Sequence, residues 1–218
     1  MSCAICDVRK EKRFCPAVHG RICAQCCGEQ REITLDCPTE CPYLQQARAH
    51  EKPRDASELD REALFPTVEI GEQFLYEREH LILGLSFALA KAAREKRSLV
   101  DRDLLGALTG LSKSYETLVN SSLIYEPSTA NLAHQAIAAE IEKMIKEFRE
   151  AEQKHMGYTR LRDSEVLKVL VFLLRMGLRR TSGRPKSRAF VDFLFGQFPE
   201  KRSALETAAE ASKRIIVP

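Results

Sequence analysis

The sequence predicts a mainly α protein: a small, cysteine-rich, metal-binding N-terminal module followed by an all-α helical bundle. Three observations carry this. All eight cysteines lie between Cys3 and Cys41, and none in the rest of the 218 residues. Beyond the head, apolar residues recur three and four apart, the helical period. No strand-period alternation or internal repeat appears there. The organisation that follows is a head at residues 1–50, a charged, proline-bearing linker at 51–66 and a bundle domain at 67–218. With 44% hydrophobic and 30% charged residues, the composition excludes a disordered or fibrous chain.

The bundle elements are read in order. From Val68 to about Arg97, Ile70, Phe74, Leu81, Leu85, Ala88 and Ala92 form one apolar stripe, with Thr67 placed to cap it. After a turn at Ser98 to Asp101, a second helix carries Leu104, Leu108, Leu111, Tyr115 and Leu118. Asn120 to Pro127 breaks the pattern, and Ser128 opens a third helix with Ile137, Ile141, Ile145 and Phe148 along one side. The fourth, capped by Asp163 or Ser164 and closed by Gly177 and the turn at Ser182 to Pro185, is apolar nearly all round from Val166 to Met176. That pattern marks the most buried element. Two shorter helices, about Arg188 to Phe195 and Lys201 to Lys213, complete the bundle.

In the head the order is Cys3-x2-Cys6, eight residues, Cys15, seven residues, Cys23-x2-Cys26-Cys27, nine residues, Cys37-x3-Cys41. A two-residue gap lets a tight turn aim two thiolates at one ion, and four sulfurs satisfy the tetrahedral preference of zinc. Six charges between Asp7 and Arg13 occupy the place where the apolar core of a secretory signal would sit. The longest stretch free of charge, Pro127 to Ala139, is thirteen residues, short of the roughly 20 a membrane helix needs. A cytoplasmic chain with no membrane partner is therefore expected, and its reducing surroundings favour zinc over disulfides.

Eight thiols make two four-sulfur sites, hence a binuclear zinc-binding module with two zinc ions per chain. The partition pairs Cys3 and Cys6 with Cys23 and Cys26, leaving Cys15, Cys27, Cys37 and Cys41. His19 stands as a possible substitute for Cys27, since Cys15-x3-His19 matches the spacing of Cys37-x3-Cys41. Pro42 after Cys41 starts a helix to about His50, so Cys41 sits where the helix dipole stabilises a thiolate. On these ligand spacings the segment resembles treble-clef and cross-brace zinc modules such as the HIT-type and MYND-type fingers, whose last ligands also come from a helix start. The resemblance implies a protein or nucleic-acid interaction module with no catalytic residues.

A zinc closed by four sulfurs has no open position for water, so hydrolysis at the metal is not expected. Each such site carries a net charge of −2, and two of them take the formal charge from +3 to −1. Whole-chain basicity then gives no argument for nucleic acid. Locally it does: Arg175, Arg179, Arg180, Arg184, Lys186 and Arg188 form a run without an acid. Within it Arg179, Arg180, Arg184, Lys186 and Arg188 are the candidate anion-binding residues. Completion of a helix dipole is the competing explanation.

Other constellations fall short of a site. Arg149-x5-His155 has the spacing of HEPN-type ribonucleases, a match that chance supplies in a chain this rich in arginine. His134 continues an apolar stripe and reads as a packing residue. The bundle lacks the facing Glu-x-x-His pairs of a di-metal centre. No nucleotide fingerprint or nucleophile elbow is present, and no small-molecule substrate is indicated. The function expected is a zinc-stabilised macromolecular interaction protein, adaptor or regulatory, without catalysis and with another protein as partner. The alternative is a nucleic-acid-binding or nucleic-acid-processing protein using Arg175 to Arg188.

Overall fold

A computed structural model describes residues 1–121 and 131–199. The helix expected at Lys201 to Lys213 and the helix start expected at Ser128 lie outside the described residues. Mainly α architecture is what the chain adopts. In the head a two-stranded antiparallel hairpin, β1 (Arg13–Cys15) and β2 (Gly20–Ile22), precedes α1 (Ala24–Gln30) and α2 (Pro42–His50). The hairpin has two faces, because alternate residues point to opposite sides of a strand. Cys15 and Ile22 turn inward, while Phe14 and Arg21, paired across the strands, turn outward.

The bundle comprises α3 (Glu72–Glu77), α4 (Glu79–Glu95), α5 (Asp101–Ser121), α6 (Leu132–Met156), α7 (Asp163–Arg180) and α8 (Ala189–Gln197). α5 lies against α7 and α6, α4 against α6 and α8. Their shared core includes Leu81, Leu85, Leu89, Leu104, Leu108, Ile137, Ile141, Ile145 and Phe190. α7 is the most buried element, as its near-continuous apolar run predicts: Val166, Val169, Leu170, Val171, Leu173 and Leu174 are all fully enclosed.

Four boundaries differ from the sequence reading. The single helix expected from Val68 is two, α3 and α4, parted at Arg78, whose guanidinium binds Glu165 of α7 at 2.6 Å. Its start is at Glu72 with Gly71 as cap, since Phe65 and Val68 are drawn against the bundle instead. The residue before α7 is Arg162, whose N–H is taken by the Glu165 carboxylate at 2.9 Å, in place of an Asp163 or Ser164 cap. Gly177 does not end α7. A Cβ there would meet Leu105 at 2.7 Å and Phe190 at 2.9 Å, so the glycine permits close approach of α5 and α8. His134 likewise lies over Gly106, where a Cβ would fall 2.3 Å from the imidazole, consistent with a packing role.

The linker is not free of the bundle. Arg175 donates to the carbonyls of Leu64, Phe65 and Val68 at 2.7–2.9 Å, and the Arg54 N–H donates to the Arg179 carbonyl at 3.1 Å. Leu59 and Phe65 are buried. No described helix is long and apolar enough to cross a membrane.

Candidate metal centre

The sulfurs of Cys3, Cys6, Cys23 and Cys26 all lie within 4.8 Å of one another. A tetrahedral zinc with bonds of about 2.3 Å holds its four sulfurs about 3.8 Å apart, so this cluster fits one ion. Backbone geometry brings them together. The turn after Cys3, closed by the Asp7 N–H on the Cys3 carbonyl at 2.9 Å, presents the first pair. The second pair stands at the start of α1, where the Cys23 sulfur accepts the Cys26 N–H at 3.3 Å and caps the helix. The knuckle docks on the hairpin through the Ala4 N–H and the Arg21 carbonyl at 2.9 Å.

The electrostatics are those of a ligand set crowded with negative charge. Burial raises the Cys3 thiol, but the N–H groups of Cys23, Cys6 and Ile5 outweigh it and bring the thiol down to about 6. Cys26 is driven the other way, to about 12, first by the Cys23 sulfur and then by burial. A cation is what allows all four to ionise together. Arg9 stands beside them, 3.9 Å from the Cys26 sulfur, and its own pKa is raised first by the Cys23 sulfur. A zinc bound by all four sulfurs would have no open position for a substrate.

Cys15, Cys27, Cys37 and Cys41 are placed together as well. All four line one small cavity of about 10 Å³, enclosed by Ile22, Leu35, Tyr43 and Leu44. Their sulfurs are more widely spaced: among the described residues, the first cluster is the one group of three or more metal-type ligands meeting the 4.8 Å spacing. Cys41 is the residue before α2 with Pro42 at its first position. Cys37 has its thiol pushed up, first by burial and further by Cys15 and Cys41, while the Glu32 N–H acts in the opposite sense. Arg13 repeats for this group what Arg9 does for the other. Its guanidinium lies 3.7 Å from the Cys27 sulfur and 4.6 Å above the Tyr43 ring. His19 is exposed on the hairpin turn with φ of 49° and does not line the cavity.

The basic run is dispersed over internal partners. Arg184 donates to the carbonyls of Arg31 at 2.8 Å and Gly28 at 3.3 Å. Lys186 reaches the Thr34 carbonyl at 2.8 Å and the Asp36 carboxylate at 3.3 Å. Arg188 donates to the Arg97 carbonyl, and Arg180 lies 3.5 Å over the Phe193 ring. Arg179 is exposed, with Asp55 nearby.

The residues that sequence reasoning missed are those joining the head to the bundle. Glu32, 1% exposed, accepts from Arg48 at 2.7 Å and from Ser182 at 3.0 Å, and its carbonyl accepts the Lys186 N–H at 2.7 Å. Arg48 also binds Asp192 of α8, and Thr39 donates to Asp192 at 3.0 Å. Apart from Glu32–Arg48, which lies within the head, these pairs are some 150 residues apart in sequence and no local pattern signals them. No family model matches this chain, and neither a curated protein nor a solved structure matches it.

Proposed function

We propose that this protein is a zinc-held interaction protein, adaptor or regulatory, that binds another protein through its head and carries out no reaction. The observation that carries the reading is the close set of four sulfurs at Cys3, Cys6, Cys23 and Cys26, three of them buried. It fixes a rigid platform and leaves no coordination position for a substrate. On that platform Phe14 is 55% exposed on the outer face of the hairpin, and Val18, in the adjoining turn, is 38% exposed. An aromatic anchored on a stiff support is the kind of group that carries binding energy in protein interfaces.

The reading includes a second zinc at Cys15, Cys27, Cys37 and Cys41. The shared cavity and the approach of Arg13 to the Cys27 sulfur support it, and favour Cys27 over His19. The interleaved order of the two ligand sets is that of cross-brace fingers, to which the head is similar. Nucleic-acid binding through residues 175–188 is less favoured, because Arg184, Lys186 and Arg188 spend donors on carbonyls of this chain.

The test is affinity capture from the native cell extract with the full chain and with Phe14→Asp/Val18→Asp. A partner retained by the first and lost by the second, with zinc content unchanged, is the expected result. Capture that is insensitive to the head variant, or that disappears with nuclease and steepens with falling salt, overturns it.

A further inference from the structure

Every polar contact given above between the basic turn or α8 and the head lands on one stretch of the head. Arg184 binds Gly28 and Arg31, Lys186 binds Glu32, Thr34 and Asp36, Ser182 binds Glu32, and Asp192 binds Thr39 and Arg48. Apart from Arg48 in α2, that stretch is the chain between Cys27 and Cys41, which a metal at the second cysteine set would tie at Cys27, Cys37 and Cys41. The docking surface and the metal-closed loop are one segment.

Glu32 sits at the centre of it. Its backbone has φ of 54°, a left-handed conformation costly for a residue with a side chain. Both carboxylate oxygens and its carbonyl are held by partners, two of the three from the bundle. Its N–H favours the thiolate of Cys37, in the second cysteine set. One residue therefore lies beside a metal-type ligand and meets the bundle with one carboxylate oxygen and its carbonyl. Cys37 also lines a second space, a groove of about 670 Å³ between head and bundle bordered by Arg94, Arg188, Asp192 and Phe195. That groove gives one ligand of the second set a route to solvent.

We propose that zinc at Cys15, Cys27, Cys37 and Cys41 and docking of the head onto the bundle form one linked equilibrium, with Glu32 as the residue that couples them. Metal holds the 27–41 loop in the shape that receives Arg184, Lys186 and Ser182. Loss of metal releases the head and bares the basic turn. The first zinc takes no part, since none of these contacts reaches its ligands. The proposal rests on the two-zinc reading above.

Linkage is reciprocal, so weakening the dock must weaken the metal by the same factor. The test uses the full chain and a variant changed only in the bundle, Arg184→Ala/Lys186→Ala/Asp192→Asn. Zinc per chain is counted by native mass spectrometry, and each zinc is then withdrawn with a graded chelator. The expected result is two zincs in both proteins, with one zinc held at least 10-fold more weakly in the variant and the other unchanged, an effect of the size that outer contacts have on metal affinity. In the wild type, withdrawing the weaker zinc should raise amide exchange at Lys186, whose N–H binds Glu32. Two zincs of unchanged affinity in a folded variant, or no change in exchange, overturn the linkage alone. A single zinc in the wild type overturns the two-zinc reading and the linkage with it. Should the triple variant misfold, Arg184→Ala alone gives the same comparison with a smaller shift.

Discussion

Asp101 opens α5, yet its carboxylate serves α8. It is 1% exposed and accepts the N–H groups of Phe190 and Val191, each at 3.1 Å, and the Ser187 hydroxyl at 2.7 Å. Its own N–H donates to the Ser187 carbonyl at 2.8 Å. This is an N-cap supplied from a distant helix, and it fixes the turn that carries Lys186 toward the head. In Asp101→Ala three buried donors lose a charged acceptor. A hydrogen bond to a charged group contributes about 1.5–3 kcal/mol, and a buried donor left unpaired costs about 1–3 kcal/mol. These overlap, and water entering the site recovers part, so a loss of about 4 kcal/mol is expected, a large share of the 5–15 kcal/mol typical of a domain. Asp101→Asn keeps an oxygen for the two amides, and the Ser187 hydroxyl can turn to accept, so about 1–2 kcal/mol is expected there. Urea unfolding followed by far-ultraviolet circular dichroism measures both, as a shift of midpoint at constant slope. A cost below about 1 kcal/mol for alanine, or equal costs for the two variants, would refute the cap.

Two further outcomes follow from geometry already given. Gly177→Ala gains about 1 kcal/mol of helix propensity but forces a methyl to within 3 Å of Leu105 and Phe190, so the net effect is destabilising by about 1–2 kcal/mol, read from the same urea curves. For the first zinc the pH dependence has a defined sign. Cys3 in the folded head lies at about 6 against an ordinary value of 9.0, so the thiolate's contribution is complete above pH 9 and is lost as pH falls through about 6. Zinc must displace the proton of the raised Cys26 thiol at any neutral pH and that of Cys3 as well below about 6, so chelator competition should show the Cys3, Cys6, Cys23 and Cys26 zinc weakening as pH falls, most steeply below about 6. A flat profile between neutrality and about pH 5 contradicts the assignment.

The bundle was legible where burial is periodic. The stripes of α5 and α6 and the all-round apolar run of α7 translate directly into Leu104, Leu108, Ile141, Leu170 and their neighbours in the core. The first sulfur cluster was legible because two C-x2-C pairs are local turns with a metal-ligand spacing. What escaped depends on distance in sequence. Arg78 divides α3 from α4 and pairs with Glu165 on another helix, and Gly177 stays helical because Leu105 and Phe190 need its missing Cβ. Each is a tertiary demand that overrides a local rule. The partners of the basic turn were hidden for the same reason. Read alone, Arg184 and Lys186 look like a surface for anions, and only the folded head shows carbonyls of residues 28–34 in front of them.

Cys26 and Cys27 are neighbours on α1, yet one belongs to the first sulfur cluster and the other to the second cavity. During synthesis the chain grows from the N-terminus, and parts fold in the order in which they become complete. The first ligand set is whole once Cys26 has emerged, and the second must wait for Cys41. The partners that secure the intervening loop, Ser182 to Asp192, come last of all. Maturation thus has a built-in order: the first ligand set can take its metal as soon as Cys26 is made, while the surface that receives the loop is still unmade.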